Sequence, residues 1–404
     1  MNLRKVKSEN LFFFLPYGIF LIFSILSTSL YYKFFYGAIY TCILLFCFSA
    51  LVGGMLFVLQ YDQKSFEDLI ICWIVYILIG LINKNMISTL AYIPLFVYAS
   101  RNIKFDKIAW FTIRVSLMTI FFIIITAYIG VIDNHIVHSA TGRVREYLGF
   151  RFALFPAAFV FNVTCLWLYL KRERIRFFEA VCLFTLNYYI YIKTDSRLSF
   201  YLSVILITLF VINGIKPGII FRQNAIYTVL TMSFILCFIV SLLLVFCYAR
   251  GLSWAYLVND FLGNRLQYAW QSLITNGISL WGKEIEWNGY GLDIFGQVSD
   301  AVYGTYTYVD CMYIKILQRY GMVCTVIYLI AFTLVMLKEK QKKNYCIVLI
   351  LSFYAIRCLI DDLAMYLYYN TFWLYIGTSL MASIQSIKNR ERSDLKMIEK
   401  SESK

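Results

Sequence analysis

Residues 108–132 read IAWFTIRVSLMTIFFIIITAYIGVI, a run of 25 residues in which Arg114 is the single charged side chain. A helix rises about 1.5 Å per residue, so a run of this length can cross the roughly 30 Å hydrocarbon core of a bilayer. A helix that is apolar on every side is typical of a membrane span. The stretch therefore predicts a membrane-spanning helix.

The composition of the whole chain extends this prediction. Of the 404 residues, 61% are hydrophobic and 15% are charged, whereas a soluble domain is about half apolar and about a quarter charged. We therefore predict an all-α, polytopic integral membrane protein, with a single transmembrane domain over residues 1–404. The apolar runs predict about twelve spans, at residues 11–31, 35–60, 67–83, 86–100, 108–132, 152–170, 177–193, 198–214, 225–249, 313–337, 345–361 and 364–386. The short third and fourth runs also fit a re-entrant pair.

Lysine and arginine are unevenly shared between the two sides of these spans. The segments on the side of the N-terminus hold most of them, whereas the short loops on the other side hold four, Lys33, Lys84, Lys193 and Arg197. Cytoplasmic loops of membrane proteins carry the excess of positive charge. We therefore expect both termini in the cytoplasm, with residues 387–404 as a basic cytoplasmic tail.

The net charge of +14 does not indicate a nucleic-acid partner. The basic residues form short clusters between apolar runs, as anchors beside a membrane do. Nucleic-acid binding needs a basic face on a soluble segment, and the sequence has no soluble segment long enough for one. The lipid bilayer is the partner that this pattern predicts.

Two segments break the pattern of short loops opposite the N-terminus. They are residues 133–151 and residues 250–312, the latter a large, partly helical extracytoplasmic loop. A loop of this length is usually functional or disordered, and four tryptophans argue for order. Apolar residues at helical spacing in 261–280, FLGNRLQYAWQSLITNGISL, predict an amphipathic helix lying on the outer membrane surface.

Ionisable groups near the outer ends of the spans are the candidates for chemistry, because such groups are costly in hydrocarbon and usually face a cavity. Arg143, Arg145 and Arg151 precede the sixth predicted span, and they fit either a guanidinium clamp for a phosphate-bearing substrate or contacts with lipid headgroups. The turn Thr194-Asp195-Ser196-Arg197 places Arg197 at the outer surface, as a substrate contact or as an arginine paired locally with Asp195.

The large loop and the spans after it supply the remaining candidates. Asp310 fits a proton acceptor for a sugar hydroxyl, and it fits a helix N-cap nearly as well. Arg357 and Asp361 are four residues apart and could pair across one helical turn, so Arg357 is either structural or a substrate contact. The other candidates for substrate binding in this region are Arg250, Arg265, Trp281, Arg319 and Tyr320.

No metal site or cofactor is expected from the sequence. His135 and His138 have a spacing that can bind metal, but a third ligand is not apparent. Most of the 11 cysteines lie in apolar runs without ligand spacing, where cysteine behaves as a small buried hydrophobe. A nucleotide-binding loop is also not apparent.

Five short patches of the chain resemble the Wzy-type polysaccharide polymerases and O-antigen ligases. They are TDSRLSFYLSVILITLF from Thr194, GNRLQYAWQSLITNGISLWG from Gly263, YVDCMYIKILQRYGM from Tyr308, YLGFRFALFP from Tyr147, and IDDLAMYLYYNTF from Ile360. Asp310 stands at the position that is acidic or His in the family. The ligase branch typically has His-Asn where this chain has Asp310-Cys311, so the resemblance favours a polymerase over a ligase.

The resemblance implies a membrane glycosyltransferase in the bacterial cytoplasmic membrane whose donor is a polyprenyl-diphosphate-linked oligosaccharide. It implies that Arg197 and Arg265 stabilise the leaving diphosphate, with Arg143, Arg145 and Arg151 as helpers. Asp310 would deprotonate or orient the acceptor hydroxyl, and aromatic side chains such as Trp281 would stack on sugar rings. A flippase and a chain-length regulator are the protein partners it implies, and no cofactor is needed.

Three alternatives fit the sequence less well. A flippase for the same lipid-linked sugars usually has two related halves and polar residues deep in many spans. A ligase that joins glycan to a lipid core is the closest chemical relative. A structural or regulatory membrane protein would leave the outer arginines unexplained.

Overall fold

The computed structural model describes residues 3–57, 63–138, 142–216, 218, 220, 224–298 and 306–382. Within these ranges the chain is mostly α-helical. The helices are α1 (Leu3–Leu26), α2 (Ala38–Phe57), α3 (Gln63–Ile82), α4 (Ile93–Ser100), α5 (Phe105–Tyr128), α6 (Leu154–Lys171), α7 (Phe177–Thr194), α8 (Arg197–Ile215), α9 (Asn224–Leu230), α10 (Ser233–Ala249), α11 (Ser253–Phe261), α12 (Arg265–Asn276), α13 (Met312–Arg319), α14 (Gly321–Gln341), α15 (Tyr345–Arg357) and α16 (Trp373–Leu380). Short 3-10 helices cover Leu30–Phe34, Arg172–Arg174 and Leu363–Met365.

Six of these helices are long and apolar enough to cross a membrane: α2, α3, α5, α6, α8 and α14. Helices α10 and α11 would together count as a seventh, but they meet at a bend of 118°. The apolar parts of α1 and α15, Asn10–Leu26 and Tyr345–Arg357, are shorter. The chain is therefore a mostly α-helical membrane protein, as predicted, and the described residues contain six or seven candidate spans where about twelve were predicted.

The predicted spans fail where the backbone leaves the helix inside an apolar run. The run 313–337 is broken between α13 and α14, where Gly321 has a φ of +81°. The run 86–100 becomes helical only at Ile93, and the run 364–386 contains the eight-residue helix α16. Hydropathy counts apolar side chains and does not detect such breaks, which are tolerated in membranes where protein buries the freed backbone groups.

Helices α6 and α15 form the centre of the bundle. Most residues of α15 are buried, including Tyr354 and Arg357, whereas α2 and α3 leave many large apolar side chains exposed, as lipid-facing helices do. Buried hydrogen bonds join the central elements: Asn162 on α6 donates to Thr371 (2.9 Å) and accepts from Tyr354 on α15 (2.9 Å). The core is thus held by polar contacts as well as by apolar packing.

The segment 133–151 contains the one sheet in the described part of the chain, which the all-α prediction missed. Strand β1 (Ile136–His138) pairs antiparallel with β2 (Val144–Glu146), and Val137 stands opposite Arg145. An ion pair of 2.8 Å between Lys193 on α7 and Glu146 fixes the sheet to the bundle. The two strands thereby hold Arg143 and Arg145 beside the end of α7.

The segment 250–312 is ordered over its described residues, and 299–305 lie outside them. Helix α12 confirms the helix predicted within 261–280, but it packs against α10 and α13 and buries Leu266 and Ala269, so it does not simply lie on a membrane surface. The chain then passes so close to α13 that a Cβ on Gly282 would collide with the carbonyl oxygen of Arg319. The predicted tail 387–404 lies outside the described residues.

Candidate functional site

Most of the predicted site residues meet at one end of the bundle, which we call the loop end. It is formed by strands β1 and β2, the turn at Asp195, helix α12, and the chain on either side of α13. The residues that gather there come from segments far apart in the sequence, since Arg143 contacts Asp195 across 52 positions and Arg265 contacts Asp310 across 45. Their meeting is therefore a property of the fold.

Asp195 is the centre of a first group of charges. It ends α7 in the left-handed conformation, with φ 47° and ψ 40°, which a short polar side chain tolerates. Its carboxylate accepts hydrogen bonds from Nε of Arg143 and from Nε of Arg197, the latter at 3.2 Å. Its carbonyl oxygen accepts from Nη2 of Arg143 (3.3 Å) and of Arg145 (3.4 Å). One aspartate thus gathers three arginines.

The presence of three arginines around one aspartate shifts the pKa values of this group. Burial alone would raise the pKa of the Asp195 carboxyl, but the hydrogen bonds from Arg143 and Arg197 outweigh it and lower the pKa. The pKa of Arg145 is lowered, first by burial and then by the positive charge of Arg143, with a smaller effect from Arg265. The Nε of Arg145 is buried without a hydrogen-bond partner among the described residues. Arg145 is therefore a cation without full compensation.

Asp310 and Arg265 form the second group. Nε of Arg265 lies 3.0 Å from Oδ2 of Asp310, and the Tyr306 hydroxyl donates to the same oxygen at 3.3 Å. The N-cap residue of α13 is Cys311, so the alternative of Asp310 as the helix cap is not what the structure has. The pKa of Asp310 is raised, mainly by burial, with Arg265 opposing the shift and the charges of Asp362 and Asp361 adding to it.

Two buried ion pairs lie next to Asp310. Arg357 binds Oδ2 of Asp361 through Nε (3.1 Å) and Nη2 (2.7 Å), which is the structural pair that the spacing allowed. Nζ of Lys315 lies 2.5 Å from Oδ2 of Asp362, and the Arg357 and Lys315 side chains are 0% and 4% exposed. The two pairs are almost fully enclosed and matched in charge.

Sequence reasoning missed the pair of Lys315 and Asp362 as site residues, and it also missed Tyr306. The Tyr308 hydroxyl donates to Asp362 at 2.7 Å, and Nζ of Lys315 lies 3.8 Å from the centre of the Tyr308 ring. A lysine inside a predicted span is by default a candidate for function, so Lys315 within the run 313–337 carried a usable signal. Nothing in the sequence around Tyr306 indicated that it belongs to the site.

Among the described residues, no hydrogen bond joins the remaining candidates to these groups. Arg151 donates to the carbonyl of Ser27 (2.9 Å) and lies over the Tyr32 ring. Arg250 lies over the Phe246 ring at 5.0 Å, and Trp281 is 58% exposed. Arg319 and Tyr320 both bind Oδ1 of Asn83, at 3.2 and 3.3 Å.

The charges at the loop end do not balance. Arg143, Arg145, Arg197 and Arg265, which we call the arginine cluster, face the carboxylates of Asp195 and Asp310. Among the described residues of this cluster, four guanidinium groups against two carboxylates leave a formal excess of two positive charges, and the two buried pairs beside them are neutral. Such a cluster can bind a doubly charged anion by charge-assisted hydrogen bonds.

The described residues contain no metal centre, and no similar protein is found for the chain. Among the described residues no group of three or more His, Cys, Asp or Glu side chains is placed to hold a metal ion. Comparison of the chain with protein-family models, with curated proteins and with solved structures finds no match. The geometry and charge of the site are therefore the basis for a proposed function.

Proposed function

We propose that this chain is a membrane glycosyltransferase of the polysaccharide-polymerase type. It would join oligosaccharide repeat units carried on polyprenyl diphosphate, with the lipid diphosphate as the leaving group. The observation that supports the proposal is the excess of two positive charges in the arginine cluster. One member of the cluster, Arg265, places its Nε 3.0 Å from the carboxylate of Asp310. A leaving diphosphate and an attacking hydroxyl need this combination of cations and a base.

The proposed reaction assigns one role to each group. The oxygen of an acceptor hydroxyl forms a bond to the anomeric carbon of the donor, and the bond from that carbon to the diphosphate breaks. The diphosphate leaves with the electron pair, and Arg145 and Arg265 stabilise its developing charge at a site partly shielded from water. The hydroxyl proton passes to Asp310, whose raised pKa makes it a stronger base than an ordinary aspartate.

The buried pairs and Asp195 would position these groups. Asp195 fixes Arg143 and Arg197 at the rim of the site, while Asp362 holds α13 through Lys315 and the chain before α13 through Tyr308. Preorganised cations cost no reorganisation at the moment of reaction. We therefore propose Asp195, Arg143 and Arg197 as positioning and binding residues.

We also propose that the loop end faces away from the cytoplasm of a bacterial cell, with both termini inside. The support comes from the sequence alone: if the predicted apolar runs cross the membrane in alternation, most Lys and Arg residues fall on the side of the N-terminus. Single cysteines at positions 143 and 197, in a background without reactive cysteines, should react with a membrane-impermeant maleimide added outside intact spheroplasts. Labelling only after the membrane is opened would contradict this orientation.

The function itself is tested in proteoliposomes that contain lipid-linked repeat units. The wild type should convert single units to longer chains, resolved by gel electrophoresis, while Arg265→Gln leaves single units. Arg250→Gln is the matched control, because Arg250 contacts the Phe246 ring and makes no ion pair among the described residues. Chains of normal length from Arg265→Gln would overturn the proposal.

A flippase for the same lipids is the second candidate. The buried pair of Lys315 and Asp362 favours it, since enclosed ionisable groups line many transport pathways. The same proteoliposomes distinguish the two functions. Movement of single units between leaflets without any longer product would identify a flippase.

A further inference from the structure

Arg319, the last residue of α13, is a second cationic position outside the arginine cluster. Its Nε donates to Oδ1 of Asn83 at 3.2 Å and its Nη1 to the carbonyl of Ile285 at 3.5 Å. Both hydrogen-bond partners are neutral, although a guanidinium has five N–H donors, and the carboxylate of Glu284, which interacts with Arg319 electrostatically, is paired with Lys84 at 2.7 Å. The Nδ2 of Asn83 is buried and has no hydrogen-bond partner among the described residues. Donors therefore remain here for an anionic group.

An apolar groove opens beside Arg319. It lies between α3, α4, α14 and α16, has a cavity volume of about 160 Å³, and includes Tyr320 at its mouth. It follows α14 from Tyr320 to Ala331, which is roughly 16 Å at the rise of a helix. The groove thus extends along α14 from Tyr320 at the loop end.

The polar atoms of the aromatic residues that line this groove are bonded elsewhere. The Tyr320 hydroxyl donates to Asn83, the Tyr328 hydroxyl lies 3.9 Å from Sγ of Cys358, and Nε1 of Trp373 donates to the carbonyl of Ala364 at 3.2 Å. The surface left to an occupant is hydrocarbon. A single lipid chain fits it, whereas a sugar would leave its hydroxyl groups without partners.

Helix α13 connects this groove to Asp310. Lys315 and Arg319 are four residues apart on one face of α13, and Lys315 is the partner of Asp362. Asp310 precedes the helix, so that Arg319 stands on the order of 13 Å beyond it along α13. Arg319 and Asp310 thus stand at opposite ends of α13, whose residues 312–318 are buried.

We propose that the groove binds the isoprenoid chain of a second lipid phosphate, the carrier of the acceptor saccharide, with its phosphate at Arg319 and Nδ2 of Asn83. This inference rests on the proposed function, because the joining of two lipid-linked units needs two lipid sites. The arginine cluster supplies one site and the groove supplies the other. The observations are a guanidinium whose hydrogen-bond partners are neutral, an amide donor without a partner among the described residues, and a hydrocarbon groove lined by Tyr320, the neighbour of Arg319.

The test is native mass spectrometry of the full chain in detergent micelles with a long-chain polyprenyl monophosphate. The wild type should bind two molecules per chain. Cys324→Trp fills the groove and should bind one, and Arg319→Gln should weaken the second binding step about tenfold by removing a charge-assisted contact. Ile330→Trp is the matched control, because Ile330 is on α14 but does not line the groove, and it should bind two.

The outcomes separate this inference from the proposed function. Two lipids bound to Cys324→Trp would overturn the groove and leave the arginine cluster untouched. Two lipids bound to the double variant Arg145→Gln, Arg265→Gln, together with loss of one in Cys324→Trp, would overturn the proposed function and support the groove. Equal competition by phosphatidylglycerol would overturn the isoprenoid as its occupant.

Discussion

Arginine occurs in two different settings at the loop end. In the arginine cluster, the side chains of Arg143, Arg197 and Arg265 are 35%, 57% and 30% exposed, and cations outnumber carboxylates. In the buried pairs, Arg357 and Lys315 are almost fully enclosed, and each has one carboxylate. The difference indicates that the buried pairs maintain the fold, while the cluster keeps charge available for an anion.

Breaking a buried pair should give the largest effect. Asp361→Asn leaves Arg357 buried without a counter-charge, and we expect a loss of about 3–5 kcal/mol in the free energy of unfolding. Chemical denaturation in detergent micelles measures it. The double variant Arg357→Met, Asp361→Leu should regain most of that stability, and a double variant as unstable as the single one would show that the pair is not the cause.

Removing a cation from the cluster should affect reaction far more than folding. Arg265→Gln should lower polymerisation about 100-fold or more, as expected when a charge that stabilises a leaving group is lost. Its unfolding free energy should change by less than about 1 kcal/mol, because the pair is partly exposed. Polymerisation rates and denaturation curves measured on the same preparation check the two expectations. A loss of stability as severe as the loss of rate would contradict the distinction between the arginine cluster and the buried pairs.

The pH profile sharpens the role of Asp310. Its pKa is raised by burial, so a reaction that needs the carboxylate should lose rate on the acid side at a higher pH than an ordinary aspartate would cause. Arg265→Gln removes the opposing positive charge and should move this acid limb to still higher pH. Initial rates between about pH 4 and pH 8 would show it; an acid limb at the same pH in both proteins would exclude Asp310 as the titrating group.

Asp195 should give the smallest effect. Its pKa is lowered by Arg143 and Arg197, so its contribution to stability is present above the ordinary aspartate pKa and is lost as the pH falls through the lowered value. Because the pair is partly exposed, the contribution should stay below about 1 kcal/mol. The protection factors of the β1 and β2 amides, which correct for the intrinsic pH dependence of hydrogen exchange, should fall at acid pH in the wild type, and this fall should be absent from Asp195→Asn.

The sequence predicted elements whose pattern is local. The runs that became α5, α6 and α8 were recognised because about 20 apolar residues in a row are rare outside membrane spans. Helix α12 was predicted from its spacing of apolar residues. The break at Gly321 and the two strands β1 and β2 were not predicted, because they depend on contacts with distant segments.

Prediction of the candidate site was limited in the same way, because contacts between distant segments cannot be read from the sequence. Arginines at the ends of apolar runs could be found one by one, including Arg145 and Arg265. The carboxylates that Arg143 and Arg265 meet could not be found, since they are 52 and 45 positions away, whereas the local pair of Arg197 with Asp195 was among the alternatives. Lys315 and Asp362 each carried a visible charge, but only the fold makes them a pair.

The central claim is that the arginine cluster binds a diphosphate, and its affinity for one is the most direct test. The measurement is the Kd for a polyprenyl diphosphate in detergent micelles, compared between the wild type, Arg145→Gln, Arg265→Gln and the control Arg250→Gln. We predict about tenfold weaker binding for each of the first two variants, the cost of one charge-assisted contact, and no change for the control. Equal affinity in all four proteins would contradict the claim.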